Sequence, residues 1–260
     1  MKSLKTAIIA SLFVIAGLTF PVGGAQASLT ARANHDHIKI DFFYNGSEVS
    51  VRGIQDPGVD LIVKLTSPDS NQDLKKKGKV SGFLWMNVGE IKFDNVPNLY
   101  FAQSSKKVDE ILSKDEQDKY LVGYEALAKR AGVSPVASPE EKAKWFDEFV
   151  KLKESNKLYF VTDGGFTTNP DEPGKGYYMK FQWPYQAPPG DYLVTVYAVK
   201  GGKVIEQATS KVNVEQVGAV KTLADMARKN GAIYGGLSVL VAILAGFGVG
   251  LVFGKGGGAH

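Results

Sequence analysis

The sequence predicts a mainly β fold: a β-sandwich domain with a helical insertion, followed by one C-terminal transmembrane helix. Short alternating apolar segments, separated by turn signals, recur through residues 29–105 and resume at Leu158, which is typical of a sandwich. A stretch rich in Lys, Glu, Ala and Leu interrupts them at about residues 106–156. Residues 231–253 contain no charged side chain, and a helix of that length is able to cross a bilayer.

The N-terminal segment has the three parts of a secretory signal peptide. A short basic region is followed by an apolar run over residues 7–20 and by an Ala-x-Ala sequence that ends at Ala27. We therefore expect residues 1–27 to be removed, which leaves Ser28 first. The alternative is an uncleaved membrane anchor, for which the apolar run is short.

Residues 28–217 are predicted to form the exported sandwich domain. Turn signals such as Asn45-Gly46 and Asp56-Pro57-Gly58 separate its strands, and residues 80–88 continue the series as a further strand. Within that strand Trp85, beside Asn87, is expected to belong to the sandwich core. The alternative is that these two side chains form a platform for a ligand.

The insertion is predicted to be helical from its periodicity and its start signal. Tyr120, Tyr124 and Leu127 share one face of a helix. Further on, Ser138 followed by a proline and by Glu141 forms a capping box, which predicts that a second helix begins there.

The last two strands are predicted to form a hairpin that turns at Gly201-Gly202. A Gly-x-Tyr sequence ending at Tyr192 stands just ahead of the first of these strands. This is the sequence form of the tyrosine corner, in which the hydroxyl bonds back to the preceding loop. It predicts that the sandwich is immunoglobulin-like.

The C-terminal region is predicted to hold the chain in a bacterial inner membrane. Residues 218–230 form an amphipathic juxtamembrane helix, residues 231–253 the transmembrane helix and residues 254–260 a cytoplasmic tail. Together with the signal peptide, this places the N-terminal domain in the periplasm. Basic residues just before the span weakly oppose this orientation, and a buried helix of a soluble protein is the alternative to a span.

Small residues recur every four positions along the predicted span, and they lie on one face of the helix. They are Ala242, Gly246, Gly250 and Gly254. Small side chains let another helix approach closely, so we expect a helix–helix contact, either with a second copy or with another membrane protein. The alternative is that glycine is simply common in membrane helices.

Composition excludes several classes of chemistry. Cysteine is absent, which excludes disulfides and thiolate chemistry. All 27 acidic residues lie between Ser28 and Asn230, as do all but three of the 31 basic ones, so this nearly neutral domain has no general attraction for nucleic acid. His35 and His37 are too few for a metal site. The sequence contains neither a phosphate-binding loop nor a dinucleotide-binding fingerprint.

From these observations we expect the protein to have no catalytic residue, no metal and no cofactor.

A basic run is the candidate for binding a small anion such as sulfite or a phosphate group. It consists of Lys75, Lys76, Lys77 and Lys79. Gly78 and the nearby Asp73 favour the alternative, a solvated hairpin.

Five short motifs, in this order, resemble those of the Alph_Pro_TM family of transmembrane proteins. They are Phe43-Tyr44-Asn45-Gly46-Ser47, Gly82-Phe83-Leu84-Trp85-Met86-Asn87, Val96-Pro97-Asn98-Leu99-Tyr100, Pro189-Gly190-Asp191-Tyr192 and Ile233-Tyr234-Gly235. The chain departs from the family in its lysine-rich run and its charged helical insertion. The resemblance implies export, a C-terminal anchor and an association with a TauE/SafE-type sulfite or organosulfonate permease. It implies no catalytic residue, since the family has no assigned activity.

These observations favour a non-enzymatic, membrane-anchored periplasmic accessory protein that contacts a permease or a second copy of itself. The alternative is a periplasmic receptor domain for a small anion. A third hypothesis, a hydrolase that uses only carboxylates, needs two such groups facing each other in a cleft.

Overall fold

The computed structural model describes residues 29–34, 36–168 and 175–253. The predicted signal peptide and cytoplasmic tail, with Gly254, lie outside the described residues, as does His35. The strands are β1 (Arg32–Ala33), β2 (His37–Ile40), β3 (Ser47–Ile54), β4 (Asp60–Thr66), β5 (Asp69–Val80), β6 (Leu84–Pro97), β7 (Tyr100–Ser104), β8 (Gly132–Ser134), β9 (Tyr159–Asp163), β10 (Thr167–Thr168), β11 (Gly176–Trp183), β12 (Gly190–Lys200) and β13 (Lys203–Gln216). The helices are α1 (Val108–Ile111), α2 (Lys114–Tyr120), α3 (Tyr124–Arg130), α4 (Pro139–Ser155), α5 (Gly218–Lys229) and α6 (Gly231–Phe253).

Two sheets form the body of the domain. The first has the order β1-β3-β11-β10, and the second has the order β2-β13-β12-β4-β7-β9. Most neighbours are antiparallel, but β2 runs parallel to β13 and β9 runs parallel to β7. The mainly β prediction is confirmed. The strand orders are compatible with an immunoglobulin-like sandwich. In such a sandwich an early strand lies beside the final hairpin, as β4 lies beside the β12–β13 hairpin here.

The core lies between these two sheets. Val51 and Met179 of the first sheet and Val63 and Val196 of the second belong to one cluster of buried side chains. Buried and exposed residues alternate along β11, as expected of a strand with one covered face. The rings of Phe101 and Phe181 stack across the sheets with centroids 5.8 Å apart.

The predicted tyrosine corner is confirmed. The hydroxyl of Tyr192 donates a hydrogen bond to the carbonyl oxygen of Pro188 in the loop before β12. Its ring packs edge-on against Trp183, with centroids 4.7 Å apart. Burial raises the pKa of this phenol, so it stays protonated and keeps the loop bonded to the strand.

A third sheet, β5-β6-β8, departs from the prediction. Its first two strands form a hairpin of 12 and 14 residues with a turn at residues 81–83, where Ser81 and Gly82 have φ of 54° and 80°. The predicted strand over residues 80–88 was therefore wrong, because the turn divides it. The alternation identified extended chain on both sides but did not locate the reversal.

The predicted helices lie between β7 and β9. At the start of α4, Ser138 Oγ accepts from the Glu141 amide at 3.2 Å, which confirms the N-cap. The Glu141 carboxylate accepts from the Ala137 amide at 2.7 Å, one residue before the cap. Phe149 of α4 stacks on Phe93 of β6, with ring centroids 4.5 Å apart, so this helix covers the base of the β5–β6 hairpin.

Two helices end the described chain. In α5 no residue is buried, and the non-helical backbone of Asn230 separates it from α6. Over Gly231–Leu251 the mean hydropathy is 2.1 and no residue is buried. Within the described ranges this is the one helix long and apolar enough to cross a membrane. Its apolar side chains are therefore left to lipid or to other helices.

Candidate functional site

The four lysines of the basic run lie along β5, and three of them contact neighbouring side chains. Lys75 forms an ion pair with Glu90, which keeps the pKa of that carboxyl below its usual value. The ammonium of Lys76 lies 4.9 Å from the centre of the Trp145 ring, and that of Lys79 lies 5.4 Å from the centre of the Trp85 ring. The structure therefore spreads these charges along an exposed strand.

A hollow beside these lysines is small and mainly apolar. Its volume is about 200 Å³, and Leu74, Ile91 and Phe93 line it together with Lys75 and Lys76. Lys77 and Lys79 do not line it. An anion there would meet two ammonium groups that already contact Glu90 and Trp145.

Trp85 is not a core residue, so that prediction was wrong. It is 63% exposed, and Phe83 beside it is 78% exposed. The reason is that α4 packs over the base of the hairpin only, so its outer part has no covering layer. We call residues 80–88 the hairpin tip.

The tip is amphipathic, because cross-strand partners share a face of a sheet. Lys79 is opposite Trp85 and Lys77 is opposite Asn87, which makes one face polar and aromatic. The other face is apolar and consists of Val80, Leu84, Met86 and Val88. Val88 lies over Gly78, where an added Cβ would stand 2.7 Å from a Val88 methyl carbon, so a larger residue there would displace the Val88 side chain.

His37 has a structural partner. Its Nε2 atom lies 2.8 Å from the carboxylate of Glu215, which joins β2 to β13. Among the described residues, no group of three His, Cys, Asp or Glu side chains converges as a metal site would require. The histidine therefore supports the packing of the final strand.

Two lysines that the sequence did not single out point into the domain: Lys153 is buried and Lys64 is half-buried. Lys64 donates to the carbonyl of Tyr120, and the Lys153 ammonium lies 5.3 Å from the Phe149 ring centre. Burial lowers the pKa of each to about 8. Periodicity alone does not distinguish such lysines from surface ones, because their long stems occupy the same positions.

The structure also has a groove that the sequence did not predict. It has a volume of about 870 Å³, and its aromatic walls include Phe101, Phe160 and Tyr185. The buried Trp183 Nε1 atom, which has no hydrogen-bond partner, belongs to a residue that lines it. Charges at its rim are balanced, as in the 2.8 Å ion pair between Lys180 and Glu48. These walls suit an apolar contact better than acid–base chemistry.

The stripe of small residues on α6 is uncovered. Ala242, Gly246 and Gly250 lie on exposed helix surface, and nothing stands within 4 Å of a Cβ built on either glycine. Ile243, Phe247 and Leu251 form the sides of a shallow groove around these two glycines. A second helix is able to approach the backbone closely there.

One comparison with known proteins found a match. The family model described as "Putative transmembrane protein (Alph_Pro_TM)" matches residues 28–255, which include the whole β domain and both final helices. No curated protein and no solved structure matches the chain.

Proposed function

Because the chain belongs to the Alph_Pro_TM family of transmembrane proteins, we propose that it is a non-enzymatic accessory protein that binds another protein within the membrane. The observation that carries this proposal is the uncovered groove around Gly246 and Gly250 on α6. Lipid supplies no hydrophobic force between helices, so close packing against small residues is the main attraction available to such a helix.

The proposal places the β domain in the periplasm and the helix in a bacterial inner membrane. The Ala-x-Ala leader and the single late span support this placement. A TauE/SafE-type permease, which the family resemblance implies, is the first candidate for the partner, and a second copy of this chain is the other. The small-anion receptor is less well supported, because Lys77 and Lys79 do not line the hollow beside Lys75 and Lys76.

The test replaces Gly246 and Gly250 together by leucine in the full-length protein. We expect the variant to remain in the membrane, since the span stays apolar, but to lose most of its dimer or its co-purified membrane partner. Chemical cross-linking in membranes, followed by purification in mild detergent and mass spectrometry, measures both. Gly248→Leu is the matched control, because it adds the same side chain off the stripe and should leave assembly intact. Equal assembly in both variants would overturn the proposal.

A further inference from the structure

The hairpin tip presents a run of large apolar side chains to water. Phe83, Leu84, Trp85 and Met86 are consecutive and all exposed. The helix α4 covers the hairpin as far as Lys76, whose ammonium lies over Trp145, whereas these four side chains are exposed. An exposed apolar patch on a long hairpin normally marks a surface that something else covers.

The charges around the tip all have one sign. Residues 75–89 contain four lysines and no acidic residue, and the nearest carboxylate along β6 is that of Glu90, which pairs with Lys75. Lys77 and Lys79 share a face with Trp85. Tryptophan with flanking lysines is typical of segments at a membrane surface, where the ring enters the interface and the ammonium groups meet anionic headgroups.

The hairpin starts at the end of the domain that leads into the membrane. In the second sheet, β4 ends at Thr66, which is opposite Leu193, and Gly190 at the start of β12 is opposite Val214 near the end of β13. The chain thus leaves the sandwich for β5 and for α5 at the same end. Each arm of the hairpin spans about 40 Å at about 3.3 Å per residue, which is long enough to bridge the distance from this end of the sandwich to a bilayer surface below it.

Other exposed aromatic rings lie at this end as well. Phe42 and Phe43 follow β2, whose last residue, Ile40, is opposite Gln216 of β13. Tyr185 stands in the loop that leads into β12. Exposed aromatic side chains therefore collect at the end of the sandwich that faces the anchor, as in an interfacial belt.

We propose that the hairpin tip inserts turn-first into the surface of the bilayer that α6 spans. The apolar side chains of both faces near the turn then enter the interface, and Lys77 and Lys79, which lie further from the turn, meet anionic lipid headgroups. Contact between two tips is disfavoured, because it would bring eight lysines together. The inference rests on the anchoring by α6 and does not depend on which protein partner the stripe of small residues binds.

Because the chain contains no cysteine, one introduced cysteine is a unique site for a fluorescent label. The full-length Phe83→Cys variant is labelled with an environment-sensitive fluorophore and reconstituted into vesicles of phosphatidylcholine with about one-third phosphatidylglycerol. We expect a blue-shifted emission, strong quenching by lipids that carry a nitroxide on the acyl chain, and weak quenching by aqueous iodide. Lys200→Cys is the control, because it is exposed at the opposite end of β12 and should show the reverse.

Charge is tested with Lys77→Gln and Lys79→Gln together in the labelled background. In the anionic vesicles we expect the label of this variant to be severalfold less protected from iodide than the label of Phe83→Cys alone. We also expect the label of Phe83→Cys alone to be less protected in pure phosphatidylcholine than in the anionic vesicles. A label at residue 83 that iodide reaches as easily as one at residue 200 would overturn the proposal. Protection from iodide without nitroxide quenching would also overturn it, since the tip would then be covered by protein, including a second copy.

Discussion

Lys64 and Lys153 keep their ammonium groups inside the domain against aromatic rings, with only backbone carbonyls as hydrogen-bond acceptors. Burial disfavours the charged form, so the folded-state pKa of each is about 8, whereas the ordinary value is 10.5. Below pH 8 both the folded and the unfolded chain are protonated, and the cost of burying the charge is fully present. Between about pH 8 and 10.5 these two lysines bind more protons in the unfolded chain than in the folded one, so their contribution to the free energy of unfolding rises with pH.

The first prediction at the residue scale is that Lys153→Met removes part of this pH dependence. The wild type should gain on the order of 1 kcal/mol per buried lysine between about pH 7.5 and 9.5. The variant should be at least as stable near pH 7.5, because methionine fills the same space without a charge. Its gain with pH should be smaller than that of the wild type by the contribution of one lysine. Thermal unfolding in detergent at several pH values measures this.

The matched control is Lys151→Met on the same helix. Lys151 is exposed and pairs with Glu148 at 2.8 Å, so its loss should leave the pH dependence unchanged. If Lys153→Met keeps the full pH dependence of the wild type, then burial of this lysine does not control it.

At the scale of one element, α4 links the helical insertion to the β5–β6 hairpin, and its N-cap determines where it begins. Ser138→Ala should cost about 1 kcal/mol, because the Glu141 amide loses its acceptor. In a domain of this size that lowers the melting temperature by about 2–4 °C. Ser155→Ala at the exposed end of the same helix should have little effect, and Ser138→Asp should restore the wild-type value. Equal melting temperatures for Ser138→Ala and Ser155→Ala would show that the cap contributes nothing.

Elements with local signals could be predicted from the sequence. The cap at Ser138, the tyrosine corner at Tyr192 and the apolar helix of residues 231–253 each depend on residues within one short segment. The tip could not be predicted in the same way. Alternation near Trp85 shows which side chains share a face, but whether a second layer covers that face depends on where β5 and β6 lie relative to distant parts of the chain. The pairing of β2 with β13 also joins distant segments.

The candidate functional surfaces also differ in how far they could be predicted from local sequence. The stripe on α6 follows from helical spacing alone, and the structure places Ala242, Gly246 and Gly250 on exposed surface as that spacing requires. The sequence identified the basic run but not its neighbours, because the contacts of Lys76 with Trp145 and of Lys75 with Glu90 join three separate elements. The aromatic groove was missed because its walls come from strands that are far apart in the chain.

At the scale of the whole molecule, the arrangement predicts how the chain lies across the membrane. Protease added to intact bacterial spheroplasts should digest residues 28–230 and leave a small membrane-embedded fragment that contains α6. The leader and the position of the span are the reasons for this expectation. Electrophoresis with mass analysis of the fragment is the measurement, and detergent-lysed spheroplasts serve as the control. Protection of the bulk of the chain would show the opposite orientation.

The position of β13 between β2 and β12 has a consequence for the order of events during synthesis. The ribosome makes β2 near the start of the domain, yet the strand that pairs with it is the last one to be made. The second sheet is therefore incomplete until Gln216 has been translated. Until then β2 (His37–Ile40) has no partner strand, which is the case during almost the whole translation of the domain. Gly231 follows only a short distance later, so completion of the sheet and delivery of the anchor fall within the same brief interval of translation.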